Sequence, residues 1–262
     1  MRIDVAFTPS EIDDSRVRDR IIVVVDVLRA STTITTALNN GAREVIPVLD
    51  VETALKMRTN LSAELTLLCG ERNGRIIEGF DLGNSPSEYV SERITGKVLV
   101  FSTTNGTLAA AKARGSREMV IGSFVNLSRV VEYLSGRGDG DATILCSGKQ
   151  NTFSLEDAVC AGMIIDRLCE LKPPVLTDGA RAAQGLYKRF GRSLLSLLNS
   201  CDHGKYLASI GFARDLESCA AVDSVPILPV LVDNTVLKML QPQPPTGGGA
   251  ADEERTGVKS SA

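Results

Sequence analysis

Five consecutive apolar residues, Ile21 to Val25, run directly into a carboxylate at Asp26, then into Arg29 and the hydroxyl run Ser31-Thr32-Thr33. A wholly apolar, β-branched stretch of this length predicts a strand buried on both faces, as in sheets covered by helices on either side. The strand delivers Asp26 to its C-terminal end, where a buried charge is costly unless it has a partner. The hydroxyls precede apolar positions at helical spacing, Ile34, Ala37 and Leu38, and mark a helix start. Free N–H groups and partial positive charge there suit a phosphate or carboxylate, while the acid suits a metal ion. A strand-end Asp before Ser and Thr also reads as an ordinary helix cap, and both readings stand at this point.

The device recurs twice. VLVFSTTNGT and ILCSGKQNT each carry an apolar strand into a polar turn at a helix start. If the sheet is parallel there, the three turns share one edge, where ligands of open α/β sheets bind. Further strands are predicted at 3–7, 44–48, 64–69, 97–102, 118–121 and 142–146, alternating with helices at 51–58, 108–113, 127–134 and 154–171. The alternation predicts an α/β protein of three layers, α/β/α, with a mixed, largely parallel sheet. Lys172-Pro173-Pro174 closes the series. Helices follow at 178–190, 193–198 and 205–210, with a short strand at 227–232. The expected organisation is an α/β phosphate-binding part at 1–172 and a mostly helical C-terminal part at 173–240 closing the same fold. A Pro- and Gly-rich tail at 241–262 is expected to be disordered.

Composition narrows the partners. With 43% apolar and 23% charged residues the chain falls among ordinary globular proteins. No apolar run nears the roughly 20 residues that span a bilayer. Charges at Arg2 and Asp4 interrupt any signal-peptide pattern, so a cytoplasmic protein is expected, without a membrane partner. A net charge of −3 gives no global pull on nucleic acid, so any anionic ligand must be drawn by a local site rather than by the whole surface. Six cysteines without a CxxC pair read as buried thiols of a reducing compartment. His203 is the one histidine, which rules out a multi-histidine metal site within one chain and leaves oxygen ligands.

Residues 70–90, GERNGRIIEGFDLGNSPSEYV, form a connection too long for a plain turn. Glu71 and Arg72 there repeat the acid-plus-arginine pairing of Asp26 and Arg29, with a surface salt bridge as the plain alternative. Ser102, Thr103, Thr104, Asn105 and Gly106 combine hydroxyls, an amide and a flexible glycine that can curl N–H groups around an anion. No GxxxxGK[ST] string is present, so no nucleotide is implied. Cys69 and Arg75 fit the C-x5-R spacing of cysteine phosphatases, and Cys146 ends a strand, but both cysteines read better as core thiols. Ser154 with Asp157 reads as a capping-box variant. His203 reads as a cap, a surface residue or a proton donor.

DVLRAST, GERNGRIIEGFDLGNSPSEY, STTNGT, CSGKQNTFSLEDAVCAG and HGKYLASIGFARDLESCAAVD together resemble the 2-phosphosulfolactate phosphatase family, in order, over most of residues 1–232. The resemblance implies an α/β/α fold and a magnesium-dependent phosphatase acting on 2-phospho-3-sulfolactate, a step toward coenzyme M, or on a related phosphorylated 2-hydroxy acid. Asp26 and Glu71 are then expected to hold Mg2+, and Arg29 and Arg72 to bind the phosphate or the substrate's acid groups. Ser31, Thr32, Thr33, Asn84, Ser85, the 102–106 turn and Lys149 are expected to bind the substrate anions. Direct attack by water and a covalent phosphate on Asp26 are both open routes. The rival reading is a non-catalytic module that binds a phosphometabolite. A homodimer is expected only from the general frequency of dimers.

Overall fold

The computed structural model describes residues 1–138 and 140–240, so the expectation for 241–262 lies outside the described residues. The strands are β1 (Arg2–Ala6), β2 (Ile21–Val25), β3 (Glu44–Pro47), β4 (Thr66–Arg72), β5 (Arg75–Ile76), β6 (Val98–Ser102), β7 (Glu118–Gly122), β8 (Ala142–Cys146), β9 (Val175–Leu176), β10 (Pro229–Val232) and β11 (Val236–Met239). The helices are α1 (Asp14–Val17), α2 (Ala30–Asn39), α3 (Val51–Asn60), α4 (Ser91–Ile94), α5 (Gly106–Lys112), α6 (Leu127–Gly136), α7 (Leu155–Leu171), α8 (Asp178–Phe190), α9 (Leu194–Ser200), α10 (Asp202–Ser209) and α11 (Ala213–Ala220).

The strands form one mixed sheet in the order β5-β4-β6-β3-β11-β10-β7-β2-β8-β1-β9. Every pairing within β7-β2-β8-β1-β9 is parallel, as is every pairing within β4-β6-β3. The hairpin β10–β11 joins these two blocks and is antiparallel to β7 on one side and β3 on the other. Counted through it, the blocks run in opposite directions. The expectation of a single parallel edge beneath all three turns is therefore corrected: β2 and β8 lie in one block and β6 in the other.

What brings the turns together is the core. Along β2 the side chains alternate as the pleat requires. Ile21, Val23 and Val25 join one apolar cluster with α6, α7 and α8, whereas Ile22 and Val24 join a second. That second cluster also holds Val45 of β3, Cys69 of β4, and Leu99 and Phe101 of β6, with Ile34, Ala37 and Leu38 of α2 and Ala109 and Ala110 of α5. Both blocks thus bury one face against the same pair of helices. A third cluster, with Ile46, Leu68, Val98 and Val100, covers the other face of β3-β6-β4 beneath Ala54 of α3. The arrangement is three-layered, with helices on both sides of the sheet.

Several short elements escape the sequence pattern. β9 and β11 are too short to show a period, so their formation rests on tertiary packing. The expected capping box at Ser154 is also corrected: the Ser154 side chain makes no cap bond, and Asp157 turns toward the strand ends. The strand expected at 64–69 runs through Arg72, and Asn73-Gly74, both at positive φ, closes a two-residue hairpin to β5. α7 and α8 approach closely at Gly162, where an added Cβ would lie 2.0 Å from the Ala183 carbonyl oxygen. Gly162→Ala is expected to lower stability by about 1–3 kcal/mol through overpacking, read as a lower denaturant midpoint at unchanged slope.

Candidate active site

The turns after β2, β4, β6 and β8 meet with the start of α10 around a cavity of about 260 Å3. Asp26, Arg29, Glu71, Asn84, Thr103, Thr104, Asn105 and Lys149 line it, together with Asn73, Gln150, His203 and Tyr206. The blocks touch directly here, because the Gln150 N–H donates to Asn105 Oδ1 at 2.8 Å. Gly106 is the closest approach: a Cβ there would lie 2.7 Å from Asp26 Oδ2 and 2.6 Å from the Ala30 Cβ. Any side chain at this position would displace the carboxylate.

Asp26 sits between strand and helix. Its N–H donates to Ser31 Oγ at 2.9 Å, and its Oδ1 accepts from the Ala30 N–H at 3.1 Å, which fixes the carboxylate on the first turn of α2. Burial pushes its pKa up to about 6, opposed by the His203 imidazole and by hydrogen bonds from Ala30 and Ser147, and reinforced by Glu71. Glu71 is held by two backbone donors, Thr104 N–H at 2.8 Å on Oε1 and Gly74 N–H at 2.7 Å on Oε2. Asp157, which the sequence pattern assigned to a cap, accepts from Val27 N–H at 2.8 Å, Ser147 Oγ at 3.1 Å and Gly148 N–H at 3.2 Å. Burial, with Glu156 and Asp26 nearby, holds its carboxyl well above the usual range.

Arg29 is almost wholly buried and is held by three neighbours. Nη1 donates to Asp215 Oδ2 at 2.6 Å, Nη2 donates to the Gly74 carbonyl at 2.7 Å, and the guanidinium lies 4.2 Å from the centre of the Phe212 ring. Lys149 stands over the Tyr206 ring at 5.0 Å, and the Tyr206 hydroxyl donates to the Asn73 carbonyl. Two positive side chains therefore line the cavity together with Asp26 and Glu71.

Other expected anion contacts are turned to structural use. Thr32 Oγ1 donates to the Val27 carbonyl and bonds Ser123, Thr33 Oγ1 donates to the Asn84 carbonyl, and Ser31 is occupied with Asp26. Ser85 Oγ donates to Asp215 at 2.7 Å. Arg72 braces β4 against β6 by donating to the Ser102 hydroxyl at 2.9 Å and to the Glu71 carbonyl at 2.7 Å. None of Ser31, Thr32, Thr33, Arg72, Ser85, Ser102 and Gly106 lines the cavity. Gln150, Tyr206 and Asp215 are residues to which the sequence reading gives no role, although each lies in a stretch that carries the family resemblance; their partners stand 45 to 186 positions away along the chain.

The donor set fits a hard cation. Asp26 and Glu71 are carboxylates, and the buried Asn84 Oδ1 and Thr104 Oγ1 have no protein partner although both residues line the cavity. Among the described residues no cluster of three or more His, Cys, Asp or Glu is poised for a metal. One or two carboxylates with water and a phosphate completing the sphere is the habit of magnesium. The cysteine route fails on position: Cys69 is fully buried in the core with its thiol pushed well up by burial, and Arg75 is exposed. Burial likewise pushes Cys146 up.

Two outcomes follow from these electrostatics. Asp26 has a folded pKa near 6 against an ordinary 3.8, so its protonated form favours the fold at low pH and that contribution is lost as pH rises through 6. In the presence of EDTA, Asp26→Asn is expected to raise stability by up to about 3 kcal/mol at pH 8, and thermal melts should show the gain shrinking as pH falls toward 4. Asp215→Asn strips the buried guanidinium of Arg29 of its counter-charge and is expected to cost about 3 kcal/mol, with inorganic phosphate restoring part of the melting temperature.

The model of the 2-phosphosulpholactate phosphatase family matches residues 6–234 of the chain. Relatives described as probable 2-phosphosulfolactate phosphatases match along nearly the same length. That of Thermotoga petrophila is 44% identical over 235 residues, 90% of this chain and 97% of its own. That of Caldanaerobacter subterraneus subsp. tengcongensis is 40% identical over 229 residues, 87% and 95%. That of Clostridium beijerinckii is 37% identical over 237 residues, 90% and 99%. With a family match over most of its length and relatives above 30% identity, the chain belongs to the 2-phosphosulpholactate phosphatase family.

Proposed function

We propose that this protein is a magnesium-dependent phosphatase that hydrolyses 2-phospho-3-sulfolactate, or a related phosphorylated 2-hydroxy acid, to the hydroxy acid and phosphate, as a step toward coenzyme M. The observation that carries this reading is the cavity itself. Two fixed carboxylates, Asp26 and Glu71, share with Arg29 and Lys149 a space whose buried Asn84 Oδ1 and Thr104 Oγ1 have no partner in the protein. Asp26 and Glu71 would hold the metal. Magnesium, when bound, neutralises phosphoryl charge and lowers the pKa of its water.

The chain's own groups supply the rest. Arg29 offers a guanidinium already oriented by Asp215, Gly74 and Phe212, so little side-chain entropy is lost when it takes an anion. Lys149 contributes a second charge from the turn after β8, suited to a substrate that carries acid groups besides its phosphate. The fixed donors need no reorganisation as charge builds on phosphorus, which is the main source of stabilisation in phosphoryl transfer. Among the described residues no helix is long and apolar enough to cross a membrane.

The test is phosphate release from a panel containing 2-phosphosulfolactate and phospholactate, with magnesium and again with EDTA. Magnesium-dependent release led by the sulfonated ester is expected, with Asp26→Asn losing at least about 10³-fold in kcat. Release from other members alone would discard the coenzyme M assignment. A folded protein that binds the esters without releasing phosphate would be a binding module instead.

A further inference from the structure

His203 holds neither the metal nor the phosphate in the proposed phosphatase. It forms a wall of the main cavity, with Asp26, Arg29, Glu71 and Lys149, and also a wall of a second cavity of about 300 Å3 that contains Glu156, Ser154 and Cys201. The imidazole stands between the two spaces. Its Nδ1 lies 3.5 Å from Glu156 Oε1, and the Glu156 side chain is only 3% exposed. With Nδ1 engaged on the Glu156 side, Nε2 is the nitrogen left for the main cavity. Burial pushes the Glu156 carboxyl up, but its hydrogen bond and charge attraction with His203 outweigh that and hold it below the usual value. The carboxylate stays charged and fixes the ring, an orienting arrangement shared by many acid–base sites.

We propose that His203 is the general acid of this site, giving its Nε2 proton to the departing hydroxyl oxygen of the substrate, and that Glu156 is its positioning residue. The inference rests on the phosphatase reading. A 2-hydroxy acid leaves phosphorus as a strongly basic alkoxide and needs a proton as the ester bond breaks. In the balanced step the P–O electron pair passes to the substrate oxygen, which takes the Nε2 proton. Water adds its oxygen to phosphorus, directly or after transfer through a carboxylate, and the proton that water releases restores the imidazolium. The competing donors are worse suited. A guanidinium keeps its proton in proteins, and an ammonium ordinarily holds its proton far more tightly than an imidazole does. The Tyr206 hydroxyl is committed to the Asn73 carbonyl.

The test compares two leaving groups on the magnesium-loaded full chain without an affinity tag. One substrate is the panel member that the wild type turns over best. The other is its analogue fluorinated beside the ester carbon, of similar size but with a far less basic alkoxide. His203→Gln is expected to lower kcat on the first by about 10²–10³-fold and on the second by less than about tenfold. Glu156→Gln should cost about tenfold on the first. Since the chain has one histidine, its imidazole gives a single pair of 15N resonances. In the wild type these are expected to report a proton on Nδ1, and to shift on Glu156→Gln and on adding inorganic phosphate with magnesium. Equal losses on both substrates, no loss, or resonances that phosphate leaves unmoved would overturn the assignment while the phosphatase reading stands. A folded wild type that releases phosphate from neither ester would remove that reading, and this inference with it. If His203→Gln does not fold, His203→Asn and the resonances of the wild type decide.

Discussion

Helices α2 and α5 begin at the cavity and share one apolar core with both parallel blocks of the sheet. Everything else at the site depends on that shared burial. Isolated, each block would present its strand ends at its own edge, and the opposed directions imposed by the β10–β11 hairpin would keep those edges apart. Packing Ile22 and Val24 from one block and Leu99 and Phe101 from the other against the same two helices fixes Asp26 and Glu71 around one space. Gly106 allows the last approach, since a larger residue would meet the Asp26 carboxylate.

That convergence has an electrostatic cost, and the arrangement of charges shows how it is managed. Asp26, Glu71, Asp157 and Glu156 are all buried, so each needs either a proton, a donor set or a counter-charge. Glu71 takes two backbone donors, Asp157 is driven toward its neutral form, and Glu156 takes the imidazole of His203. Asp26 is left with a raised pKa and one oxygen facing the cavity side of Gly106. A group destabilised in this way gains most from a cation, and a site that forgoes stability for such a group is what a catalytic role demands. Asp215 plays the matching part for Arg29 and ties it to Ser85 of the long loop.

Much of this was legible in the sequence, and the reason is local. β2 and Asp26 follow from an unbroken β-branched run ending in an acid, and the burial of all five strand residues is a local property of that run. β8 and α8 begin and end where the pattern places them. Asn73-Gly74 is a local hairpin signal inside the long loop, and it carries β4 past Cys69, where the strand pattern alone ends it, through Arg72. The hydroxyls Ser31, Thr32 and Thr33 were correctly set at a helix start. A hydroxyl's sequence position, however, does not say whether it faces a ligand or a neighbouring carbonyl, and here all three satisfy protein groups.

The sequence by itself determined the fold class, the buried strand carrying Asp26, and the acid, arginine and hydroxyl content of the turns, because each depends on periodicity and residue chemistry within about ten positions. Only the tertiary structure decided which of those groups meet. Asp157 left its supposed cap for the backbone of Val27, 130 residues away, because a buried N–H at a strand end must find an acceptor. Arg72 turned to bracing strands while Arg29 kept the cavity, since the counter-charge that holds Arg29 comes from Asp215, 186 residues further on. His203 gained its orientation from Glu156 in the same way. Contacts between distant segments are set by how the core closes over α2 and α5, and no local pattern encodes that closure.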